Sequence, residues 1–267
     1  MPGSPRARQG ALLDSLARKA KAQGYAARSA YKLVEVLEKY PALLRGARKV
    51  LDLGSAPGAW TQVLLERLPL ARTQQAPNSP LVVGVDILDA PLAAIPPTET
   101  RAVGVTSDAT HTVTTLSRVV AAIQNHTNAK SAPPLFDLVV SDAMANVSGV
   151  HELDAARSRE LGFAALSLAV GCGAGEEDEV LDLGSAPGAL PTDDSAVSMA
   201  RELARSGVLK PNKARGGLVL KLFAADPAED KALFNMLKAN FAVAHRLRLA
   251  ASRSVSREEY WVGIGRV

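Results

Sequence analysis

Val50-Leu51-Asp52-Leu53-Gly54-Ser55-Ala56-Pro57-Gly58-Ala59-Trp60 is the stretch on which the fold turns. Its first four residues, apolar around one acid, read as a short buried strand. Gly54 and Gly58 then let the backbone turn tightly and approach a ligand closely. From Trp60 to Leu68 the apolar positions resume a helical period. Downstream, Leu81-Val82-Val83-Gly84-Val85-Asp86 reads as a second strand with an acid at its end, and residues 101–106 as a third that closes at Asp108. Residues 136–142 form a fourth, whose unbroken apolar run fits a strand covered on both faces. Helices are expected at 111–127, 152–170 and 227–240, a strand at 216–223, and a last strand pair at 241–249 and 259–265. Upstream, residues 11–23 and 29–40 have helical spacing, separated by Gly24, with Ser29 as cap. Strands and helices alternating at this length predict an α/β fold: a doubly wound, mostly parallel sheet of seven strands with helices on both faces.

The chain has 267 residues, 47% of them hydrophobic and 22% charged, the composition of an ordinary globular protein. One domain over 1–267 is the expectation, with a basic helical lead-in over about 1–48. No apolar run approaches the length of roughly 18 residues that a membrane helix requires. The one cysteine, Cys172, excludes an intrachain disulfide and any multi-cysteine metal site. The four histidines, at 111, 126, 151 and 245, lack metal-ligand spacing, so no metal is expected. Charge is unevenly divided. Residues 1–49 carry 11 Lys/Arg against 3 Asp/Glu, residues 50–200 carry 7 against 18, and residues 201–267 carry 13 against 6. Basic ends around an acidic middle are either solvated helix faces or a polyanion-binding surface built from both ends. The first thirty residues, rich in Arg and Ala with Asp14 as their only acid, also resemble part of an organelle transit peptide.

Ligands of such sheets sit beyond the carboxyl ends of the strands. Asp52, Asp86, Asp108 and Asp142 all stand at or just past strand ends. One such acid alone is an ordinary cap or turn residue; four in succession point to a site. The loop Gly54 to Trp60 is not the GxGxxG pattern that places a pyrophosphate, and Asp86 follows Asp52 by 34 residues. The pattern suits a cofactor with an adenosine ribose and no phosphate chain. Asp86 would take the ribose hydroxyls and Asp108 the adenine amino group, as S-adenosylmethionine requires. The candidate cofactor residues are Asp52, Gly54, Ala56, Pro57, Gly58, Trp60, Asp86, Asp108 and Asp142, with the Trp60 ring expected to serve packing more than chemistry.

These residues resemble the FtsJ/RrmJ-type RNA ribose 2′-O-methyltransferases. The likeness runs through Arg28-Ser29-Ala30-Tyr31-Lys32-Leu33, the Asp52–Trp60 loop, Val85-Asp86, Ser141-Asp142, Gly217-Leu218-Val219-Leu220-Lys221-Leu222-Phe223 and Ser256-Arg257-Glu258-Glu259-Tyr260. It implies the Rossmann-like S-adenosylmethionine methyltransferase fold and a catalytic set of Lys32, Asp142, Lys221 and Glu258. Glu258 is taken over its neighbour Glu259 because the family glutamate stands two residues before the tyrosine. After Asp142 this chain reads Ala143-Met144-Ala145-Asn146 where the family usually has Met-Ala-Pro-Asn. The Pro/Ser loop before Val82 resembles the mitochondrial large-subunit rRNA branch, which implies a mitochondrial location, with bacterial or general cytoplasm as the alternative. Ribosomal RNA or the large ribosomal subunit is the implied partner, and the protein is expected to be a monomer.

Methyl transfer to a ribose hydroxyl needs that hydroxyl held in line and its proton removed. Lys221 is assigned as general base, Lys32 and Asp142 as its tuning and orienting partners, and Glu258 as a positioning group. A lysine inside LVLKLF is awkward to bury without a purpose. Arg18, Lys19, Lys21 and Arg28 of the leading helices are expected on the Lys32 side of the site, neutralising RNA phosphates. His151 and Asp154 read as capping or loop groups at a helix start. The decapeptide VLDLGSAPGA recurs at 180–189. No helix follows it and only 78 residues remain, so it is read as part of an insertion loop over about 171–193, with Asp182 and Gly184 outside the site. Two other classes stay open: a nucleotide-dependent oxidoreductase, disfavoured by the loop pattern, and a non-catalytic RNA-binding assembly factor retaining the cofactor fold.

Overall fold

The computed structural model describes residues 15–69, 80–127, 135–145, 148–171, 194–223, 226–252 and 257–267. The strands are β1 (Lys49–Leu53), β2 (Leu81–Asp86), β3 (Ala102–Thr106), β4 (Leu138–Ser141), β5 (Asn212–Phe223), β6 (Phe241–Leu247) and β7 (Glu258–Arg266). They form one sheet in the order β3-β2-β1-β4-β5-β7-β6. The five strands from β3 to β5 run parallel, while β7 lies antiparallel between β5 and β6. The helices are α1 (15–22), α2 (Ala30–Lys39), α3 (Ala59–Arg67), α4 (Thr112–Thr127), α5 (His151–Val170), α6 (Asp194–Ser206) and α7 (Pro227–Asn240). Among the described residues, no helix is long and apolar enough to cross a membrane, and no group of three His, Cys, Asp or Glu stands ready for a metal ion.

The period of two along each strand divides the core into two layers. Leu51, Leu53, Val83, Val139, Leu220 and Trp261 face one side, where α4 to α7 pack. Val50, Val82, Val140, Val219, Tyr260 and Val262 face the other, covered by α2 and α3. The even parity of Asp52 and Asp142, the odd parity of Lys221 with Val219, and that of Glu258 with Tyr260 all address the α2 side. Lys32 comes from α2 itself.

Several boundaries differ from expectation. The fourth strand is shorter, because Phe136 leaves the β1–β4 ladder for an isolated bridge to Leu209. The fifth is longer, starting at Asn212, with a register shift before Gly217. There Gly216 holds φ +71°, and a Cβ would sit 2.2 Å from the Asp137 carbonyl oxygen, so only glycine permits the strand to cross at that point. Ser29 makes no side-chain cap; its carbonyl instead accepts the Trp60 indole N–H at 2.9 Å. Helix α6 adds to the expected elements, with buried Ala200, Leu203 and Ala204 at helical spacing. The proposed insertion over 171–193, with the second VLDLGSAPGA, lies outside the described residues apart from Gly171.

Arg266, at the end of β7, ties this layer together. Its guanidinium donates to the carbonyls of Val170 (2.8 Å), Ser206 (2.5 Å) and Leu209, which include the last residues of α5 and α6. Burial lowers its pKa, yet a cation there meets the negative ends of two helices. Arg266→Met should cost about 2–4 kcal/mol, since three carbonyls lose a charged donor. Urea unfolding midpoints of the two proteins check this, and an unchanged midpoint would contradict it.

Candidate active site

Backbone hydrogen bonds lace together the loops at the carboxyl ends of the parallel strands. Gly54 and Ser55 donate to the Val85 carbonyl at 2.8 and 3.1 Å, Ser107 to Asp86 at 2.8 Å, and Asp142 to Leu53 at 3.2 Å. Above these loops opens a cavity of about 610 Å³, lined by Gly54, Ala56, Asp86, Asp108, Asp142 and Lys221 among others. Asp86 is aimed by two amides: Ala56 donates to its Oδ2 at 2.9 Å and Leu88 to its Oδ1 at 3.1 Å. Asp108 accepts the amide and hydroxyl of Thr110 on one oxygen, Oδ1. Exposed Ile87, Leu88 and Met144 give the rim an apolar character.

Not every expected cofactor residue reaches this cavity. Pro57, Gly58 and Trp60 stand outside its lining: Gly58 opens α3 at φ +114°, and Trp60 is buried against α2. Asp52 lies fully buried beneath the loop, where Thr61 donates to its Oδ2 at 2.7 Å and Oδ1 has no hydrogen-bond partner. Burial, opposed by the Thr61 hydrogen bonds and reinforced by the charges of Asp142 and Asp86, pushes its pKa up to about 7. Asp86, Asp108 and Asp142, all in the cavity lining, suit a cationic ligand.

That raised pKa makes stability depend on pH. The folded state holds the Asp52 proton more tightly than the unfolded chain, whose aspartates titrate near 3.9. The contribution is therefore complete below about pH 4 and lost as pH rises through about 7. Asp52→Asn, neutral at every pH, should be more stable than the wild type at pH 8 in the absence of ligand, with the advantage shrinking towards pH 4. Chemical denaturation at both values reads the difference; parallel pH profiles would refute it.

Beside the cavity the four predicted catalytic side chains form one connected group. Lys32 Nζ donates to Glu258 Oε1 at 2.5 Å. Lys221 Nζ donates to the Asp142 carbonyl at 2.6 Å and pairs with its Oδ1 at 2.9 Å. Tyr260, fully buried, joins the two pairs: its hydroxyl donates to Glu258 Oε1 and lies 3.2 Å from Asp142 Oδ1. Burial opposes ionisation of Glu258, but the Lys32 charge and the hydrogen bonds from Lys32 and Tyr260 outweigh it and hold its pKa low. Burial first, then the two carboxylates, push the Tyr260 pKa well above its ordinary value, so the phenol stays a donor.

Glu258 arrives here because β7 runs against β5, setting Phe223 opposite Glu258 and Lys221 opposite Tyr260. Its neighbour Glu259 points to the other face, towards Arg248 and the indole N–H of Trp261. Of the set, Asp142 and Lys221 touch the cavity, while Lys32 and Glu258 stand behind them. The sequence reading did not assign Tyr260, though its position two residues after Glu258 on a strand puts both on one face. Nor did it find Arg157 and Glu160, which line the cavity from α5 three residues apart. Asp154 is the helix-start group expected, accepting from Ser148 and Gly149 amides at 2.7 and 3.1 Å. Lys19 lies 4.9 Å from the Tyr31 ring, next to Lys32.

A doubly wound sheet with an acid-lined cavity at its strand ends, and a linked Lys-Asp-Lys-Glu group beside it, defines an α/β enzyme that works with a nucleoside-type cofactor. Comparison with known proteins narrows the class. Residues 25–176 match the FtsJ-like methyltransferase family. A ribosomal RNA large subunit methyltransferase E of Methanothrix thermoacetophila is 32% identical over 250 residues, covering 94% of this chain and 71% of that one. A tRNA (cytidine(32)/guanosine(34)-2′-O)-methyltransferase of Schizosaccharomyces pombe is 36% identical over 159 residues, 59% of this chain and 50% of that one. Among solved structures, a ribosomal RNA methyltransferase from Plasmodium falciparum shares the fold, with a TM-score of 0.55 at 19% identity over 91% of this chain and 98% of that one. The chain belongs to the FtsJ-like methyltransferase family, whose methyl donor is S-adenosylmethionine. The residues lining the cavity fit that donor: Asp86 and Asp108 would hold the adenosine, and the Asp142 carboxylate would offset its positive charge.

Proposed function

We propose that the protein methylates a ribose 2′-hydroxyl of large-subunit ribosomal RNA, with Lys221 as general base. The observation that carries this reading is the continuous Lys32–Glu258–Tyr260–Asp142–Lys221 chain, which ends at the cavity. Bound S-adenosylmethionine supplies an electrophilic methyl group on a sulfonium. Asp142 fixes the Lys221 amine twice, through its carbonyl and its carboxylate. A neutral amine that spends both N–H bonds there keeps its lone pair for the hydroxyl proton. Glu258 neutralises Lys32, and Tyr260 holds the two carboxylates at a set separation. Lys32 and Glu258 thus act as positioning groups through Tyr260 and Asp142.

The basic α1 and the following turn, with Arg18, Lys19, Lys21 and Arg28, support RNA as the substrate. We assign action as a monomer and in the mitochondrion, the latter on the likeness of the Pro/Ser loop before Val82 to the mitochondrial branch. The test is transfer of labelled methyl from S-adenosylmethionine to large ribosomal subunits lacking the modification, followed by digestion to nucleosides. Label in ribose supports the reading. Binding of RNA and cofactor without transfer would replace it with an assembly-factor role.

A further inference from the structure

The end of the sheet opposite the active site is strongly basic. Two distant segments meet there. One is the turn into β1, with Arg45, Arg48 and Lys49; the other is the entry to β5, with Lys210, Lys213 and Arg215. The register explains the convergence. Asp137 N–H donates to the Lys49 carbonyl at 2.8 Å and Gly217 N–H to the Asp137 carbonyl at 3.1 Å, so the starts of β1, β4 and β5 lie side by side. The kink at Gly216 then turns β5 so that the Arg215 guanidinium lies against Gly46.

Asp137 is the acid built into this cluster, and it is fully engaged. Arg48 and Lys49 amides donate to its Oδ2 at 2.8 and 3.0 Å, and Lys210 Nζ to its Oδ1 at 2.8 Å. It compensates Lys210 and leaves the rest. Arg45, Lys213 and Arg215 are exposed and have no carboxylate partner among the described residues. Burial, and after it the Lys210 charge against that of Asp137, lowers the Lys49 pKa. Three exposed cations without carboxylate partners, Arg45 on the turn before β1 and Lys213 and Arg215 at the entry to β5, suit a row of phosphates.

We propose that this surface, made of Arg45, Lys213 and Arg215 around the Asp137–Lys210 pair, is a second RNA-backbone site that anchors the substrate away from the reacting ribose. The inference rests on the RNA reading above and extends it. Arg215 and Lys221 are on one strand, six residues apart, so the anchor lies about 20 Å from the base along β5. A fragment of two or three nucleotides in the active site does not span that distance; a folded RNA does. The surface thus selects for large structured substrates by charge and shape, without base readout.

The test compares wild type with Arg45→Glu/Lys213→Glu/Arg215→Glu and with the charge-preserving Arg45→Lys/Lys213→Arg/Arg215→Lys. Binding to deproteinised large-subunit ribosomal RNA and to a trinucleotide is measured across a salt series, beside methyl transfer at saturating ribosomal RNA. The charge-reversed protein should bind ribosomal RNA at least about tenfold more weakly, with a salt slope shallower by roughly 2–3. Its trinucleotide affinity and saturated transfer rate should equal wild type, and the charge-preserving variant should behave as wild type. Equal ribosomal RNA affinity and slope in all three proteins would overturn the anchor, including in favour of an acidic protein partner at this face. Wild type that neither binds nor methylates ribosomal RNA would instead overturn the RNA reading. Should the triple reversal unfold, Arg45→Ala/Lys213→Ala, which removes two exposed side chains, answers the same question.

Discussion

Lys221→Ala is expected to lower methyl transfer by roughly 10²–10⁴-fold while leaving S-adenosylmethionine binding within a few-fold of wild type. The Lys221 side chain is almost wholly buried, between Asp142 and the cavity, and its partners are the carbonyl and carboxylate of one residue. Removing the amine leaves Asp142 with the Tyr260 hydroxyl, so the loop carrying the cofactor cavity keeps one of its ties. Lys221→Arg sharpens the result. A guanidinium preserves positive charge and donors but does not give up its proton at neutral pH. If Lys221 works as a base, arginine fails to restore transfer; if it serves only to balance Asp142, arginine restores it. Rates at saturating cofactor, beside equilibrium dialysis of the cofactor, separate the two. Wild-type turnover in the alanine variant would end the assignment.

Gly54→Ala should act by geometry instead of chemistry. Gly54 holds φ +71°, and a Cβ there would lie 2.4 Å from Ala143 Cα and 2.6 Å from Ala143 N, a collision with backbone and not with the tip of a side chain. The left-handed conformation alone costs a non-glycine residue about 1–3 kcal/mol. Relief of the collision must move the segment after β4, which carries Asp142 and half the cavity rim. Cofactor affinity is therefore expected to fall at least about tenfold and the unfolding temperature by roughly 5–10 °C. Gly104→Ala is the control, since its Cβ would meet Leu92 at an ordinary 3.6 Å and no positive φ is involved. Equal affinity for the two variants, measured by titration calorimetry, would show that close approach of the β1 and β4 loops does not matter.

Much of the site was legible because its spacing is local. The strand–glycine–helix unit at 50–68 announces itself through residues adjacent in the chain, and acids at successive strand ends mark a common edge once the strands are parallel. Lys221 stood out by being a charge inside an apolar strand. Other features depended on neighbours far away in sequence. Trp60 looks like part of the cofactor loop, but a helix N-terminus can turn its ring either way, and contact with Ser29 settled the direction. Asp52 has the same local setting as Asp86; only the depth of α3 over it makes one a buried group and the other a cavity wall. Tyr260 needed the antiparallel placement of β7 before its hydroxyl had two carboxylates to join.

The residue order by itself determined the class of fold and the strands that carry the site, because hydrophobic period and turn chemistry act over a few residues; Lys32, Asp142, Lys221 and Glu258 were singled out as a set only by the resemblance of their motifs to the FtsJ-type methyltransferases. Tertiary structure alone decided that Lys32 and Glu258 stand behind the cavity, that Tyr260 couples them to Asp142, and that the basic segments at 45–49 and 210–215 meet at the end of the sheet opposite the cavity. The physical reason is the same in each case: hydrogen bonds and charge fields depend on distance in space, and pairs 226, 118 and some 170 residues apart in the chain become neighbours only when the sheet has closed its register.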